Sequence, residues 1–534
     1  MLTSARDFVI KAHEEGIRDG KRLQELKTAF SARNGRSLFT NVELIEAYRA
    51  LVKDGLMGED ESLFRVLRKR GVRSQSGIAS ITVITKAYPC PGTCIFCPTE
   101  PGMPKSYLSN EPAVMRAILN DFDPYRQTLN RLQSLEKSGH HTDKIDVIIS
   151  GGTFSFYPKK YQGDFVRGVY NALNAPTKKA RSLRQAQDIN ETAVHRCIGL
   201  SVETRPDHID EKELIRLRNL GCTKIEIGVQ SLNDKVLAMN RRGHTVAETV
   251  RAIRLMRDAA YKINCHMMPG LYCSTPVNDY ADFVELFGNP AYRPDWLKIY
   301  PCMVVPWSQL EKLYKDGSFV PYGDEELMNL LIRIKQVVPE YCRITRLYRD
   351  IPAPTVIGGS KISNIRQLMQ ERMKKEGIKC RCIRCREIKG EAVDADKLEM
   401  KVNEYDASGG REFFITFNDY SDGLDGKKRD KLASLLRLRF SSHSLEGKKH
   451  FIKELEGAAL IREVHAYGEQ VRVARRQGEA SQHVGLGRRM MEKAEEISRK
   501  NGFKKLAVIS GIGVREYYRK LGYRLEGTYM LKSL

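Results

Sequence analysis

The sequence predicts an α/β chain in which six βα units form a parallel sheet, curled into a full or partial barrel and followed by an α+β domain. Three observations predict it. Six apolar stretches, Ile78–Thr85, Ile145–Ser150, Cys197–Val202, Lys224–Val229, Ile263–Met268 and Trp296–Tyr300, alternate with amphipathic ones such as Pro112–Asn120, Glu211–Leu220 and Val246–Ala259. Polar or glycine-rich clusters follow successive strands: Gly151-Gly152-Thr153, Glu203-Thr204-Arg205, Gln230-Ser231, Pro269-Gly270 and Pro301-Cys302. Such clusters are expected where one end of a barrel is the active face. Beyond residue 397 the texture changes, with strand-like runs at Glu412–Phe417, Leu435–Phe440, Ala458–Tyr467 and Lys505–Ser510 around a long helix starting near Leu486.

Residues 1–74 read as helical. Lys21–Ser31 and Asn41–Lys53 carry apolar residues at three- and four-residue steps, and Thr40-Asn41 is a candidate cap. The segment ends in a basic run, Arg65, Arg68, Lys69, Arg70 and Arg73, which reads equally as a solvated face or as a nucleic-acid contact. Residues 75–354 hold the barrel. Residues 355–397 form a linker that reaches Cys380-x-Cys382-x2-Cys385, a spacing that suits Zn²⁺. A fourth ligand must come from elsewhere; Cys302 is the first candidate and Cys342 the second. Residues 398–534 form the last domain.

Composition narrows the class of function. The chain has 534 residues, 41% hydrophobic and 29% charged, and no charge-free apolar run near the roughly 20 residues of a membrane span. Its first residues carry early acids and lack the apolar core of a signal peptide, so a cytoplasmic location is expected. Twelve cysteines, mostly clustered or set in apolar runs, fit a reducing compartment better than a disulfide framework. A net charge of +23 points to nucleic acid as partner, ahead of a membrane surface or an acidic protein.

The most specific feature is Cys90-x3-Cys94-x2-Cys97, placed just past the first strand. Three thiolates can hold three irons of a [4Fe–4S] cluster and leave the fourth iron open for a ligand. A structural zinc site or unrelated buried thiols is the competing reading. In the last domain, Gln482-x2-Gly485-x-Gly487 opens the long helix, and a glycine-rich helix entry exposes N–H groups that can cradle a pyrophosphate.

The cysteine triplet resembles the cluster motif of radical S-adenosylmethionine (SAM) enzymes, and the glycine-rich loop resembles the acetyl-coenzyme A loop of GNAT-type acetyltransferases. Both in one chain, in this order, resemble the family of the Elongator catalytic subunit, the tRNA wobble-uridine modifying enzyme. The stretches Tyr107–Ala117, Gly151–Phe154, Val202–Asp207, Glu226–Gln230 and Val508–Tyr523 extend the likeness from about residue 66 to the end. The short gap between Cys90 and Cys94 resembles prokaryotic members, while Cys380–Cys385 is fuller than the eukaryotic pattern.

The resemblance implies a radical SAM partial (β/α)6-type barrel fused to a GNAT-type domain, with a tRNA-binding N-terminal segment and a zinc-binding linker. It implies that Cys90, Cys94 and Cys97 hold a [4Fe–4S] cluster on which SAM binds, with Gly151, Gly152 and Thr153 along the SAM amino-acid end. Glu203 is the candidate catalytic carboxylate, and Arg205 and Gln230 candidate cofactor contacts; an ordinary structural ion pair is the alternative. Acetyl-CoA would lie on Gln482, Val484, Gly485, Leu486, Gly487 and Arg488, beside the strand carrying Glu463, Val464 and His465. Tyr517 or Tyr518 would face the thioester, and core packing is the alternative for at least one of them. Arg68, Lys69, Arg70, Arg73 and Lys86 would grip the anticodon stem-loop. The implied reaction attaches a carboxymethyl precursor from acetyl-CoA to C5 of the wobble uridine. It would run in a monomer or homodimer without other Elongator subunits. A protein lysine acetyltransferase, or a tRNA-binding acetyl-CoA sensor with a structural cluster, are the competing functions.

Overall fold

A computed structural model describes residues 2–35, 37–68, 77–177, 179–388, 394–421, 430–467 and 485–534. Seven strands, β1 (Ala79–Ile84), β2 (Lys144–Ser150), β3 (Arg196–Thr204), β4 (Lys224–Gln230), β5 (Lys262–Met267), β6 (Trp296–Ile299) and β7 (Arg343–Arg346), lie side by side in sequence order. Every neighbouring pair is parallel, which gives a partial barrel with helices outside. The sequence predicts six strands; the seventh has four residues, begins and ends in arginine, and carries no apolar run to reveal it.

The strand residues divide by the period of two. Ile81 and Val83, then Val147 and Ile149, then Ile225 and Ile227, are fully buried in the core. The alternate set, Ser80, Thr82, Asp146, Lys224, Glu226, Asn264, His266, Trp296 and Lys298, lines the barrel lumen. An interior of this kind stays hollow and polar instead of packing shut.

Ahead of the barrel, helices Leu2–Glu14, Gly20–Arg33, Asn41–Lys53 and Glu61–Leu67 close over Phe8, Leu44, Ile45, Leu51 and Leu63. The expected cap is present as a full capping box. Thr40 Oγ1 accepts the Glu43 N–H at 3.3 Å, and Glu43 accepts the Thr40 N–H at 2.7 Å. Among the described residues no helix is long and apolar enough to cross a membrane.

After the linker helices Ile365–Lys375 and Ile383–Arg386 come β8 (Leu398–Ala407), β9 (Gly410–Asp419), β10 (Lys431–Phe440), β11 (Ala458–Ala466), β12 (Lys505–Val508), β13 (Arg524–Glu526) and β14 (Tyr529–Ser533). They form a mixed sheet in the order β13-β14-β12-β11-β10-β9-β8. The amphipathic helix Leu486–Lys500 covers it with Leu486, Met490, Met491 and Ala494.

A buried ionic seam joins this sheet to the barrel. Asp295, just before β6, accepts from Arg462 Nη1 at 2.8 Å and has Arg437 at 3.5 Å and Arg257 at 3.9 Å. Glu412 on β9 accepts from Arg257 and Arg439, each at 3.1 Å. Asp258 accepts from Arg439 at 2.6 Å, and Glu463 accepts from Arg437 at 2.8 Å. The β10–β11 register steps from Arg437↔Glu463 to Leu438↔Ile461, so Arg462 is the extra residue of a bulge. That bulge turns two consecutive charged residues, Arg462 and Glu463, toward the same seam. A second clasp runs from Arg218 to the carbonyls of Ser510 at 2.8 Å and Thr528 at 2.7 Å.

Removing one partner of a buried charge cluster strands the others without water. Asp295→Ala should cost about 3–5 kcal/mol in chemical denaturation. Burial alone would raise the Glu463 carboxyl, but Lys262 and Arg437 hold it at about 2. Its folded value is depressed, so its contribution is complete above about pH 4.3 and disappears as pH falls toward the folded value. The melting temperature of the wild type should fall more steeply across that window than that of Glu463→Gln.

Candidate active site

The loop leaving β1 carries Cys90, Cys94 and Cys97 across the C-terminal mouth of the barrel. It is tied down from three sides. Ile95 donates its N–H to the Asn240 carbonyl at 3.2 Å, Leu310 donates to the Ile95 carbonyl at 2.9 Å, and Cys90 Sγ lies 3.8 Å from Thr153 Oγ1. A hydrogen bond from Cys97 lowers the Cys94 thiol to about 5; burial opposes this, and Arg242, whose Nη1 is 3.5 Å from the sulfur, assists.

Arg205 forms an ion pair and also lines the cavity at the mouth. Its Nε and Nη2 donate to Asp207 at 2.9 and 2.7 Å, while its Nη1 is buried without a partner. That free N–H donor lies against Gly92, where a Cβ would stand 2.1 Å from Nη1. Only glycine leaves the guanidinium this place beside the cysteines. Gln230 ends β4 with φ +73°, a conformation that few non-glycine residues adopt, and its Oε1 is also buried without a partner. Gly151 and Gly152, at φ +138° and +98°, carry the backbone from β2 to Thr153.

These residues fit an iron–sulfur cluster with a bound anionic ligand. Three thiols on one loop supply the ligands, and two guanidiniums balance their charge. A single tetrahedral ion would draw its thiolates to about 3.8 Å apart. The sulfurs of Cys380, Cys382 and Cys385 do converge within 4.8 Å of one another, and those of the loop cysteines do not all do so.

Below the mouth, the lumen holds a charged cluster. Glu226 accepts from Lys298 and, at 3.1 Å, from His266 Nε2. Burial opposes ionisation of Glu226, yet Lys298 and His266 hold it well below the usual carboxylate range. Glu203 accepts the Tyr107 hydroxyl at 2.7 Å and lies 3.8 Å from Lys298. Arg242, Tyr107, Glu226, His266 and Lys298 do not emerge from sequence reasoning as site residues. The available signal is a period-two run of polar residues inside otherwise apolar strands, as in Lys224-Ile225-Glu226 and Asn264-Cys265-His266.

One cavity of about 940 Å³ joins these parts. It touches Cys90, Cys94 and Cys97 at the mouth, runs past Glu203, Glu226 and Lys298, and ends at Arg343, Arg384, His465 and Tyr467. The last two belong to the end of β11, where Arg343 donates to Tyr467 Oη at 3.2 Å. β11 pairs with parallel β12 only as far as Ile461↔Val508, then continues along β10 to Ala466. β12 ends at Val508, so the stretch of β11 that carries Val464 and His465 runs on beside β10 after β12 has ended.

In the same domain, Gly485 caps the helix at φ +73° and Leu486 points into the core, so only its backbone faces outward. Arg488 is exposed and pairs with Glu492 at 3.0 Å. Tyr517 is 40% exposed, whereas Tyr518 is 6% exposed and packs with Tyr523 in the core. A Cβ on Gly487 would stand 2.8 Å from Tyr517 Oη, so this hydroxyl lies at the start of the helix.

Four expectations need correction or fall outside the structure's reach. The Glu463 side chain is committed to Arg437 by the bulge, which leaves only its backbone to meet a cofactor. Tyr518 is a core residue, since the helical turn that exposes its neighbour buries it. Cys302 is no companion of Cys380; it packs with Cys94, Leu271 and Val304 at the barrel mouth. Cys342 lies closer, its carbonyl accepting the Ile383 N–H at 3.0 Å. Lys69, Arg70, Arg73, Gln482 and Val484 lie outside the described residues. Of the remaining basic candidates, Arg68 lies 5.7 Å from the Phe64 ring, and Lys86 is exposed with its ammonium 5.2 Å from the Tyr161 ring.

The fold and loop define a radical SAM enzyme, a class that implies SAM and a [4Fe–4S] cluster. Residues 87–277 match the radical SAM superfamily, and residues 294–375 match the radical SAM C-terminal domain. The chain is 40% identical to the tRNA uridine(34) acetyltransferase of Methanocaldococcus infernus, over 98% of each chain. It is 37% identical to human Elongator complex protein 3, covering 98% of this chain and 95% of that one. The structure of the N-terminally deleted archaeal Elp3 from M. infernus superposes with a TM-score of 0.74 at 39% identity, covering 86% of this chain and all of that one. The chain belongs to the Elongator Elp3 family.

Gly92→Ala should push the Arg205 guanidinium away from the cysteines. Iron retained per chain after anaerobic reconstitution should fall, while circular dichroism stays that of the wild type.

Proposed function

We propose that this enzyme attaches a carboxymethyl precursor, drawn from acetyl-CoA, to C5 of the anticodon wobble uridine of tRNA. The observation that carries this reading is the single cavity running from the cysteine loop to the end of β11. When bound, the cluster and SAM supply a 5′-deoxyadenosyl radical, and the organic chemistry belongs to that pair. The chain's own residues bind, orient and shield.

Cys90, Cys94 and Cys97 hold the cluster, and the free N–H of Arg205 with the strained Gln230 orients the SAM carboxylate and ribose. Glu203, poised by Tyr107 and Lys298, is the base nearest the mouth and accepts a proton from the substrate. At the far end, the N-terminus of helix Leu486–Lys500 receives the coenzyme A pyrophosphate. Tyr517 Oη, at the same helix start, donates a hydrogen bond to the bound coenzyme A, and hydrolysis of the thioester by water leaves the carboxyl group on the product and releases the coenzyme A thiol. The pantetheine runs along the part of β11 beyond the end of β12 and carries the acetyl group past His465 into the lumen. Two active groups at opposite ends of one barrel then share a covered route, and water is kept from the carbon radical. Lys86, Arg68 and the basic run after it hold the tRNA, whose splayed loop bases suit a narrow mouth. Cys380, Cys382 and Cys385 hold a structural zinc that braces the lumen floor beside Arg384.

A protein lysine acetyltransferase would use the last domain and leave the lumen idle. Cys94→Ala separates the two. Mass spectrometry of tRNA incubated anaerobically with reconstituted enzyme, SAM, reductant and acetyl-CoA should find a modified uridine with the wild type and none with Cys94→Ala. Lysine acetylation that survives in the variant, with no tRNA product from either protein, would sink the proposal. The route is tested by Asn264→Phe, which fills the lumen midway. Release of 5′-deoxyadenosine and acetyl-CoA binding should persist, while tRNA modification should drop at least tenfold, equivalent to about 1.4 kcal/mol of barrier.

A further inference from the structure

Among the described residues, Trp307 combines exposure of a large aromatic ring with a left-handed backbone. Its side chain is 57% exposed, although tryptophan is a large apolar residue that is ordinarily well buried. Its backbone lies at φ +65°, in the left-handed region that disfavours every bulky residue. A glycine there would carry no such strain. The surrounding chain holds the strained conformation. The Trp307 carbonyl accepts the Thr99 N–H at 2.9 Å, and Ser308 Oγ donates to the Val305 carbonyl at 2.7 Å. Thr99 is two residues past Cys97, and both Pro98 and Val305 line the cavity. Strain kept at such a position is an observation from which function can be inferred.

The neighbours specify the partner. Lys105 donates to Thr99, whose N–H the Trp307 carbonyl accepts, and Arg241 donates at 3.2 Å to Gln309, two residues past Trp307. Two cations thus lie along the backbone segment that carries the indole, in a chain of net charge +23. An exposed aromatic face flanked by cations is the arrangement that holds single-stranded nucleic acid, the ring stacking on a base and the cations meeting phosphates. Trp307 lies outside the cavity, so it is placed for a base next to the one that enters.

We propose that Trp307 is a stacking platform for an unpaired RNA base flanking the target uridine. This deepens the tRNA reading above and rests on it. The strained backbone is retained because it turns the indole outward at the rim of the mouth, with Thr99 fixing its distance from the cysteine loop.

The test uses the reconstituted holoenzyme and a synthetic anticodon stem-loop carrying an unmodified wobble uridine. Trp307→Gly should melt at or above the wild-type temperature, because glycine accepts the backbone conformation. It should nonetheless bind the stem-loop about 5- to 100-fold more weakly. Trp307→Phe should stay near the wild type and Trp307→Leu should resemble the glycine variant, because stacking needs a ring and not bulk alone. Titration should quench tryptophan emission in the wild type and leave it unquenched in Trp307→Gly. Equal RNA affinity of Trp307→Leu and Trp307→Phe overturns the proposal. So does unchanged affinity of Trp307→Gly, including the case where gel filtration shows that variant losing a dimer, which would give this face to a second copy. Failure of the wild type to bind the stem-loop would overturn the tRNA reading along with it.

Discussion

The position of one sheet upon the other depends on a single buried carboxylate, Asp295, shared by Arg257, Arg437 and Arg462. Charges without access to water must meet opposite charges at close range, and a side chain that slides off its partner has no solvent to fall back on. The seam therefore admits one relative placement of the barrel and the second sheet. Hydrophobic contacts alone would tolerate a range of placements, because apolar burial is not directional. The bulge at Arg462 is the local device that makes this work, since it lets one strand contribute an arginine and a glutamate to the same face.

That placement determines where the end of β11 goes. Held by the seam, β11 presents His465 and Tyr467 to the N-terminal end of the barrel strands, where Arg343 begins β7. The cysteine loop leaves the opposite, C-terminal end. A barrel filled with branched apolar side chains would keep the two ends apart. This lumen is lined instead by Asp146, Lys224, Glu226, Asn264, His266 and Lys298; Lys224 pairs with Asp146, Glu226 pairs with His266 and Lys298, and a passage remains. The polar lumen and the ionic seam thus serve one arrangement, in which the seam aims the second domain at the barrel and the lumen keeps the barrel open to it.

Much of the fold is legible in the sequence. Six of the seven barrel strands, the long helix from Leu486 and the Thr40 cap follow from apolar periodicity and capping chemistry, which act over a few residues. β7, β13 and β14 are not, because strands of three to five residues carry no periodic signal and form only where a neighbouring edge receives them. The cysteine loop is legible because metal chemistry demands fixed spacing. Arg242, Tyr107 and Lys298 are not, because each reaches the site from a distant part of the chain and its residue type is common on surfaces. Cys302 shows the converse. Its thiol suits a metal, but the chain carries it to the barrel mouth, far in sequence and in packing from Cys380.

The sequence by itself determined the parts whose physics is local: the strands and helices, the three-cysteine loop, the glycine entry to the last helix, and a positive charge that favours a polyanion. Only the tertiary structure decided which of Tyr517 and Tyr518 reaches the surface, that Arg205 keeps one free N–H donor beside Gly92, that Glu463 serves the seam, and that a strained Trp307 stands at the mouth. Those outcomes depend on which groups share a buried volume once the chain has closed. A carboxylate joins a seam or lines a lumen, and a ring enters the core or stays exposed, according to neighbours that lie up to hundreds of residues away in sequence.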